Sequence, residues 1–123
     1  MARAKRKKIL IADDSYVAYR QLADILPEKE YEVVGHAKNG AEAIKLCKEL
    51  KADIVFLDLV MPIMDGLQAL DGIMKVNTNV KVVVVSSMGG VGQKAIKALE
   101  LGATNVVTKP FKEEAVLRIL KEL

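Results

Sequence analysis

The sequence predicts an α/β fold with a doubly wound parallel sheet. Five short apolar runs alternate along the 123-residue chain with five segments whose apolar residues recur at helical spacing. The runs are rich in Val, Ile and Phe, and two of the central ones are almost continuously apolar, which is typical of strands buried on both faces of a parallel sheet. Right-handed crossovers between such strands place helices on both faces of the sheet.

The predicted strands are the five apolar runs, taken in chain order. β-Branched and aromatic residues favour strands because they pack well on a pleated surface. The runs cover residues 9–12, 31–35, 54–57, 80–85 and 105–108.

The predicted helices show apolar residues three or four positions apart, the spacing of one buried stripe. Ser15 and Asn39 can cap the first two helices, and Gly102 is a typical residue just after the end of the fourth. The stripes, from the first helix to the fifth, are Val17, Leu22, Ala23, Ile25 and Leu26; Ala43, Ile44, Cys47 and Leu50; Leu67, Leu70, Ile73 and Met74; Ala95, Ile96, Leu99 and Leu101; and Val116, Ile119, Leu120 and Leu123.

The positive charge of the chain is concentrated at its start. With 51% hydrophobic and 28% charged residues, the composition excludes disorder as the main state, and the formal net charge is +3. Residues 1–8 hold five of the 19 Lys and Arg, which leaves 14 basic against 16 acidic residues. We therefore expect a basic tail over residues 1–8 and one slightly acidic domain over residues 9–123. The tail is most simply a solvated extension, and contact with nucleic acid or an anionic membrane is the alternative.

The composition also limits the compartment and the partners. No apolar run is long enough for a signal peptide or a membrane span, and the single cysteine, Cys47, excludes an intrachain disulfide. Three scattered tyrosines and no tryptophan provide no stacking platform for bases. We expect a cytoplasmic protein that binds neither membrane nor nucleic acid directly.

Polar residues follow four of the five predicted strands. Ligands of open parallel sheets bind beyond the carboxyl ends of the strands. Asp13 and Asp14 follow the first strand and Asp58 the third. Ser86, with Ser87 as a second choice, follows the fourth strand, and Lys109 follows the fifth.

This set of residues indicates phosphoryl chemistry. Neighbouring carboxylates repel one another unless a cation neutralises them, and Mg²⁺ prefers such oxygen ligands together with phosphate oxygens. Lys109 and Ser86 could contact a phosphoryl group, and Asp58 could accept one as an acyl phosphate. Taken singly, Asp14 could cap a helix, Asp58 could begin a turn and Lys109 could be solvated.

Further motifs make the chain resemble a known family. Met61–Pro62 and Asp65–Gly66 follow Asp58, and Pro110–Phe111 follow Lys109. With the aspartates and Ser86, these residues make residues 7–123 similar to the receiver domain of two-component response regulators, the CheY-like family. The resemblance implies a (βα)5 flavodoxin-like fold with strand order 2-1-3-4-5 and a cis bond before Pro110.

The resemblance also implies roles for individual residues. Asp58 becomes the phosphoacceptor, and Ser86 and Lys109 contact the phosphoryl oxygens. Mg²⁺ is expected on four ligands: Asp13, Asp14, Asp58 and the backbone carbonyl of Val60. The phosphoryl donor is a sensor histidine kinase, and a downstream protein binds through the fourth helix, fifth strand and fifth helix. We expect a switch of the single-domain chemotaxis type, or an excised receiver, and not an enzyme with an independent substrate.

Three features depart from the family pattern. Val106 occupies a switch position where the family usually has Tyr or Phe, and a stiff β-branched side chain has no ring to rotate. Val60 gives a hydrolytic water nothing to bind, which predicts slow self-dephosphorylation. If Ser86 is the hydroxyl donor, the loop at residues 86–92 is one residue longer than usual. This loop, together with residues 98–103, resembles the receivers of chemotaxis methylesterases. The glycines of the loop are not followed by the Lys-Ser/Thr of a P-loop.

Other functions fit parts of the sequence. A receiver fold could act as an interaction module without phosphorylation, and Val106 supports that alternative weakly. An aspartyl phosphohydrolase would need an Asp-x-Asp pattern on the first strand, and a flavin binder would need a Ser/Thr/Gly-rich phosphate loop after it. Neither is present. His36, alone after the second predicted strand, is interpreted as structural.

Overall fold

The computed structural model describes residues 5–87 and 92–123 as five strands and five helices in strict alternation. The strands are β1 (Lys7–Ala12), β2 (Tyr31–Ala37), β3 (Ile54–Asp58), β4 (Lys81–Ser87) and β5 (Asn105–Lys109). The helices are α1 (Tyr16–Ile25), α2 (Gly40–Leu50), α3 (Gly66–Val76), α4 (Gln93–Glu100) and α5 (Glu113–Glu122).

The strands form one parallel sheet in the order β2-β1-β3-β4-β5, which confirms the predicted fold class. β1 lies between β2 and β3, so the carboxyl ends of these three strands are neighbours. The pairing of β1 with β2 shifts register between Ile9 and Leu10 and then continues to the pair of Ala12 with Ala37.

Three strand boundaries differ from the sequence prediction by two residues, and the others agree to within one. β1 begins two residues earlier, because the backbones of Lys7 and Lys8 pair with Tyr31 and Glu32 although the lysine side chains are not part of the core. β2 continues to Ala37, so His36 lies within the strand and not after it. β4 continues to Ser87, paired with Lys109 of β5. Backbone pairing needs no apolar side chain, which is why the apolar runs understate these strands.

Two apolar layers cover the two faces of the sheet. Successive side chains of a strand point to opposite faces, so each strand contributes to both layers. One layer holds Ile9 and Ile11 of β1 with Leu22 of α1 and Leu120 of α5. The other joins the opposite face of the sheet to α2, α3 and α4, and there Cys47 is fully buried, as predicted.

Helix ends agree with the capping residues read from the sequence. The Ser15 hydroxyl accepts a hydrogen bond from the Ala18 amide at 3.2 Å, and Asn39 Oδ1 accepts one from the Glu42 amide at 2.8 Å. Gly102 follows α4 with φ of +115°, a conformation that L side chains rarely adopt. The peptide bond between Lys109 and Pro110 is cis, as expected. Among the described helices none has the length and apolar character needed to cross a membrane.

Candidate functional site

Successive side chains of a strand point to alternate faces of the sheet, and this places three predicted site residues on the same face. Asp13 continues the series of Ile9 and Ile11, and Asp58 ends β3 on the face that carries Phe56. Lys109 ends β5 two residues after Val107, which lies in the same layer. Because the strands are parallel, all three side chains lie at one edge of the sheet and on its α1/α5 face.

The three predicted aspartates form one cluster. Each of Asp13, Asp14 and Asp58 has a carboxylate oxygen within 4.8 Å of the others'. Asp13 is 2% and Asp58 is 7% exposed, whereas Asp14 is open to solvent. The cluster therefore combines two buried charges with one accessible charge.

The Lys109 ammonium bridges the two buried carboxylates. Its Nζ lies 2.7 Å from Asp13 Oδ2 and 3.0 Å from Asp58 Oδ2. Backbone amides bind the other two oxygens: Ser15 N–H donates to Asp13 Oδ1 and Val60 N–H to Asp58 Oδ1, both at 2.9 Å. Each buried carboxylate is thus held at both oxygens, as a buried charge requires.

Burial dominates the electrostatics of Asp58. Desolvation raises the pKa of its carboxyl, and the negative charge of Asp13 adds to that rise. Hydrogen bonds from Val60 and Lys109 lower the same pKa but do not offset burial. Burial also lowers the pKa of Lys109, but its hydrogen bonds to Asp13 and Asp58 outweigh this and leave the pKa raised. Lys109 therefore stays protonated, whereas burial disfavours the ionised form of Asp58 that it faces.

The donor set fits a magnesium ion. Three carboxylates and one ammonium leave two negative charges, which one divalent cation balances. Mg²⁺ binds through a few carboxylates and retains several waters, and the exposed Asp14 leaves one side of the cluster open to solvent.

Ser86 and Val106 lie at the same edge but on the opposite face of the sheet. Ser86 pairs with Thr108 and Val84 with Val106, so Ser86 and Val106 share the face that α2, α3 and α4 cover. Ser86 is half-buried, and its hydroxyl donates to the carbonyl of Ser87 at 3.4 Å. No hydrogen bond between Ser86 and the acidic cluster is seen within the described chain. Its role at the phosphoryl group stays a prediction.

Two other predictions concern Val60 and the loop after β4. Val60 is 67% exposed in the loop after β3, so the side chain beside the cluster is apolar and open to solvent. Most of the loop predicted over residues 86–92 lies outside the described residues. Its extra length and its likeness to methylesterase receivers therefore stay predictions.

His36 is a site neighbour that the sequence reading missed. Its Nε2 lies 2.7 Å from the backbone carbonyl of Asp13, and its ring stacks on Tyr19 at 4.1 Å between centroids. The available signal was the position of His36 near the carboxyl end of β2. Once β2 lies beside β1, this residue is next to the aspartates that follow β1.

Comparison with known proteins identifies similar chains. The model of the family described as response regulator receiver domain matches residues 9–121. The chain is 42% identical over 119 residues to a chemotaxis protein CheY of Thermotoga maritima, covering 95% of this chain and 97% of that protein.

Two solved structures are also similar. The response regulator domain of Thermotoga maritima CheB matches with a TM-score of 0.83 and 33% identity, over 96% of this chain and 93% of that one. A chain of the CheX-CheY-BeF3-Mg+2 complex from Borrelia burgdorferi matches with a TM-score of 0.85 and 32% identity, over 94% and 87%.

Proposed function

Because this chain belongs to the response regulator receiver domain family, we propose that Asp58 accepts a phosphoryl group from a sensor histidine kinase and that this switches partner binding. The chain is a homologue of CheY, and proteins of this kind are signalling switches, not classical enzymes. One observation carries the residue-level proposal: Lys109 bridges the buried carboxylates of Asp13 and Asp58 beside an exposed third carboxylate.

Asp58 acts as the nucleophile. A carboxylate oxygen attacks the phosphorus of a phosphohistidine, the P–N bond breaks, and the imidazole leaves with the electron pair and takes up a proton. The product is an acyl phosphate on Asp58. Burial, which raises the pKa of this carboxyl, also makes its ionised form a stronger nucleophile than a solvated aspartate.

Asp13, Asp14 and Asp58, with the backbone carbonyl of Val60, would hold Mg²⁺. When bound, this ion neutralises negative charge on the oxygens of the transferring group. Asp13 is already oriented for this role because its second oxygen accepts the Ser15 amide. The Asp14 carboxylate is exposed, so an ion can reach it from solvent.

Lys109 couples the chemistry to the switch. Its ammonium now bonds two carboxylate oxygens, and a phosphoryl group on Asp58 offers it new oxygens to bond. Ser86 contacts another phosphoryl oxygen from the opposite face of the sheet. Movement of Ser86 is passed to Val106, which packs against the layer containing α4.

The output surface comprises α4, β5 and α5. Ile96 and Leu99 of α4 are 47% and 45% exposed, which supports binding of a protein through an apolar contact. The relatives named CheY, one of them crystallised with CheX, favour a cytoplasmic single-domain regulator of the chemotaxis type. Slow self-dephosphorylation is part of the proposal because Val60 offers no polar group to a hydrolytic water.

The decisive experiment is incubation with Mg²⁺ and a small phosphodonor such as acetyl phosphate, followed by intact mass spectrometry. Wild type should gain one phosphoryl group and Asp58→Asn should gain none. Asp71→Asn is the matched control, since Asp71 is an exposed aspartate of α3 that pairs only with Lys75 in the described structure. An adduct that persists in Asp58→Asn would remove Asp58 from its role.

A phosphorylation-independent interaction module is the second candidate. Val106 favours it, because this half-buried side chain packs against the core and has no aromatic ring to reorient. Wild type that folds and binds Mg²⁺ but gains no phosphoryl group from either a small donor or a kinase would support this alternative.

A further inference from the structure

His36 forms a hydrogen bond with the peptide group that joins Asp13 to Asp14. The Nε2 atom of His36 lies 2.7 Å from the carbonyl oxygen of Asp13, which belongs to the peptide leading into Asp14. A carbonyl oxygen only accepts hydrogen bonds, so Nε2 carries a proton and donates it. This bond adds to the backbone bond in which Asp13 N–H donates to Ala37, and together they tie the start of the loop to β2.

The imidazole is itself held in place. Its ring stacks on the Tyr19 ring of α1, with centroids 4.1 Å apart and planes inclined by 9°. His36 is half-buried within β2, whose backbone is paired with β1 through Ile11. A ring fixed by stacking and by its strand presents its N–H in one direction.

Asp14 has no such support of its own. Its carboxylate is exposed, and no hydrogen bond or ion pair to it is seen across residues 5–87 and 92–123. Its backbone is held on both sides instead. His36 binds the carbonyl of the preceding peptide, and Asp13 Oδ1 accepts the N–H of the following peptide from Ser15 at 2.9 Å. The direction of the Asp14 side chain therefore depends on these two bonds.

We propose that His36 is a positioning residue for the metal site, because its bond to the Asp13 carbonyl fixes the peptide from which the Asp14 carboxylate projects. The inference rests on the proposed function, in which Asp13 and Asp14 are metal ligands. His36 touches neither the metal nor the phosphoryl group. By restricting the Asp14 backbone before Mg²⁺ binds, His36 reduces the conformational entropy that Asp14 loses on binding.

Two substitutions separate the hydrogen bond from the ring. His36→Gln keeps an N–H donor at similar reach but removes the stacking ring, whereas His36→Phe keeps a ring against Tyr19 and donates nothing. His36→Met, flexible and without a donor, is measured alongside in case the Phe ring disturbs folding. Loss of a group that orients a metal ligand weakens metal affinity about tenfold or more, and we expect a change near the lower end of that range.

The measurement is a titration with Mg²⁺ alone, followed through backbone amide shifts in nuclear magnetic resonance spectra. His36→Phe and His36→Met should bind Mg²⁺ about tenfold more weakly than wild type, and His36→Gln should stay within about threefold. In metal-free protein, the Asp14 amide should shift in the Phe and Met variants. Thermal unfolding without Mg²⁺ checks that each variant is folded.

The same titration on Asp14→Asn distinguishes the two proposals. If wild type binds Mg²⁺, Asp14→Asn weakens binding and His36→Phe does not, the positioning role is wrong and the proposed function stands. If His36→Gln loses as much affinity as His36→Phe, an N–H donor at position 36 does not preserve Mg²⁺ binding, which also overturns the inference. If wild type does not bind Mg²⁺ at all, both proposals fail.

Discussion

The two edges of the sheet carry charge in different ways. At the carboxyl edge, Lys109 lies 2.7 and 3.0 Å from two carboxylates that are almost fully buried. At the amino edge, Arg6 lies 3.9 Å from Glu32, and both side chains are more than 40% exposed. The amino edge nevertheless holds more positive charge, on Lys5, Arg6, Lys7, Lys29, Lys81 and Lys121, which line shallow depressions there.

The difference between the two edges shows that the number of charged residues does not indicate where the functional site of this chain lies. Exposed charges are screened by water and salt, so a pair of them contributes little. Buried charges must be paired at short distance, and each depends strongly on its partner. The net charge of +3 reflects the amino edge, whereas the chemistry is expected at the other.

The strongest test of this comparison is Lys109→Met. The substitution leaves Asp13 and Asp58 buried without their shared cation. Because the Lys109 side chain is 26% exposed, we expect the free energy of unfolding to fall by about 3 kcal/mol in Mg²⁺-free buffer, the lower end for breaking a buried ion pair. Phosphorylation by acetyl phosphate should slow by about 100-fold, since a cation at the reacting group is lost. Urea unfolding and intact mass measure the two effects. A variant as stable and as reactive as wild type would show that the buried charge of Lys109 matters no more than an exposed one.

The next largest effect concerns the lifetime of the acyl phosphate. Val60→Asn places an amide beside the acceptor where a hydrolytic water could bind, and we expect dephosphorylation to accelerate about tenfold. Ile63→Asn is the control because it introduces the same amide at an 83% exposed position of the same loop. Decay is followed by mass spectrometry after the donor is removed. Equal decay of wild type and Val60→Asn would contradict the role given to Val60.

Asp58→Asn should stabilise the metal-free protein. Burial raises the pKa of Asp58 in the folded state, so wild type is most stable relative to its unfolded chain below the unfolded pKa and loses stability as pH rises through the folded pKa. The neutral amide avoids this loss. We expect a gain of about 1 kcal/mol at pH 7, mainly because a buried charge is removed and to a smaller extent because its repulsion with Asp13 is relieved.

The pH dependence and the metal supply the checks. The gain in unfolding free energy should shrink as pH falls and wild-type Asp58 becomes protonated, because both proteins then carry a neutral group. Adding Mg²⁺ should stabilise wild type more than Asp58→Asn, through binding to the folded state alone. An Asp58→Asn protein that is less stable than wild type at pH 7 would mean that the Lys109 bond outweighs the cost of burial.

Much of the carboxyl edge could be predicted from sequence because strand ends are visible in the apolar pattern. Asp58 directly follows an unbroken apolar run, and parallel strands bring such ends together. The hydrogen bond of His36 could not be predicted in the same way, since it depends on which strand lies beside β1 and on a side-chain direction. The start of β1 at Lys7 was missed because its pairing uses only the backbone.

The smallest effects are expected at the amino edge. Lys81 is exposed at the start of β4, so Lys81→Gln removes a screened charge and should change the free energy of unfolding by less than about 0.5 kcal/mol. Phosphorylation by acetyl phosphate should proceed at the wild-type rate. Lys109→Met, measured in the same buffer, shows the effect of removing a charge at the carboxyl edge for comparison. If Lys81→Gln slows the reaction with acetyl phosphate, a charge at the amino edge affects the reaction at the carboxyl edge. The conclusion that the two edges act independently would then be wrong.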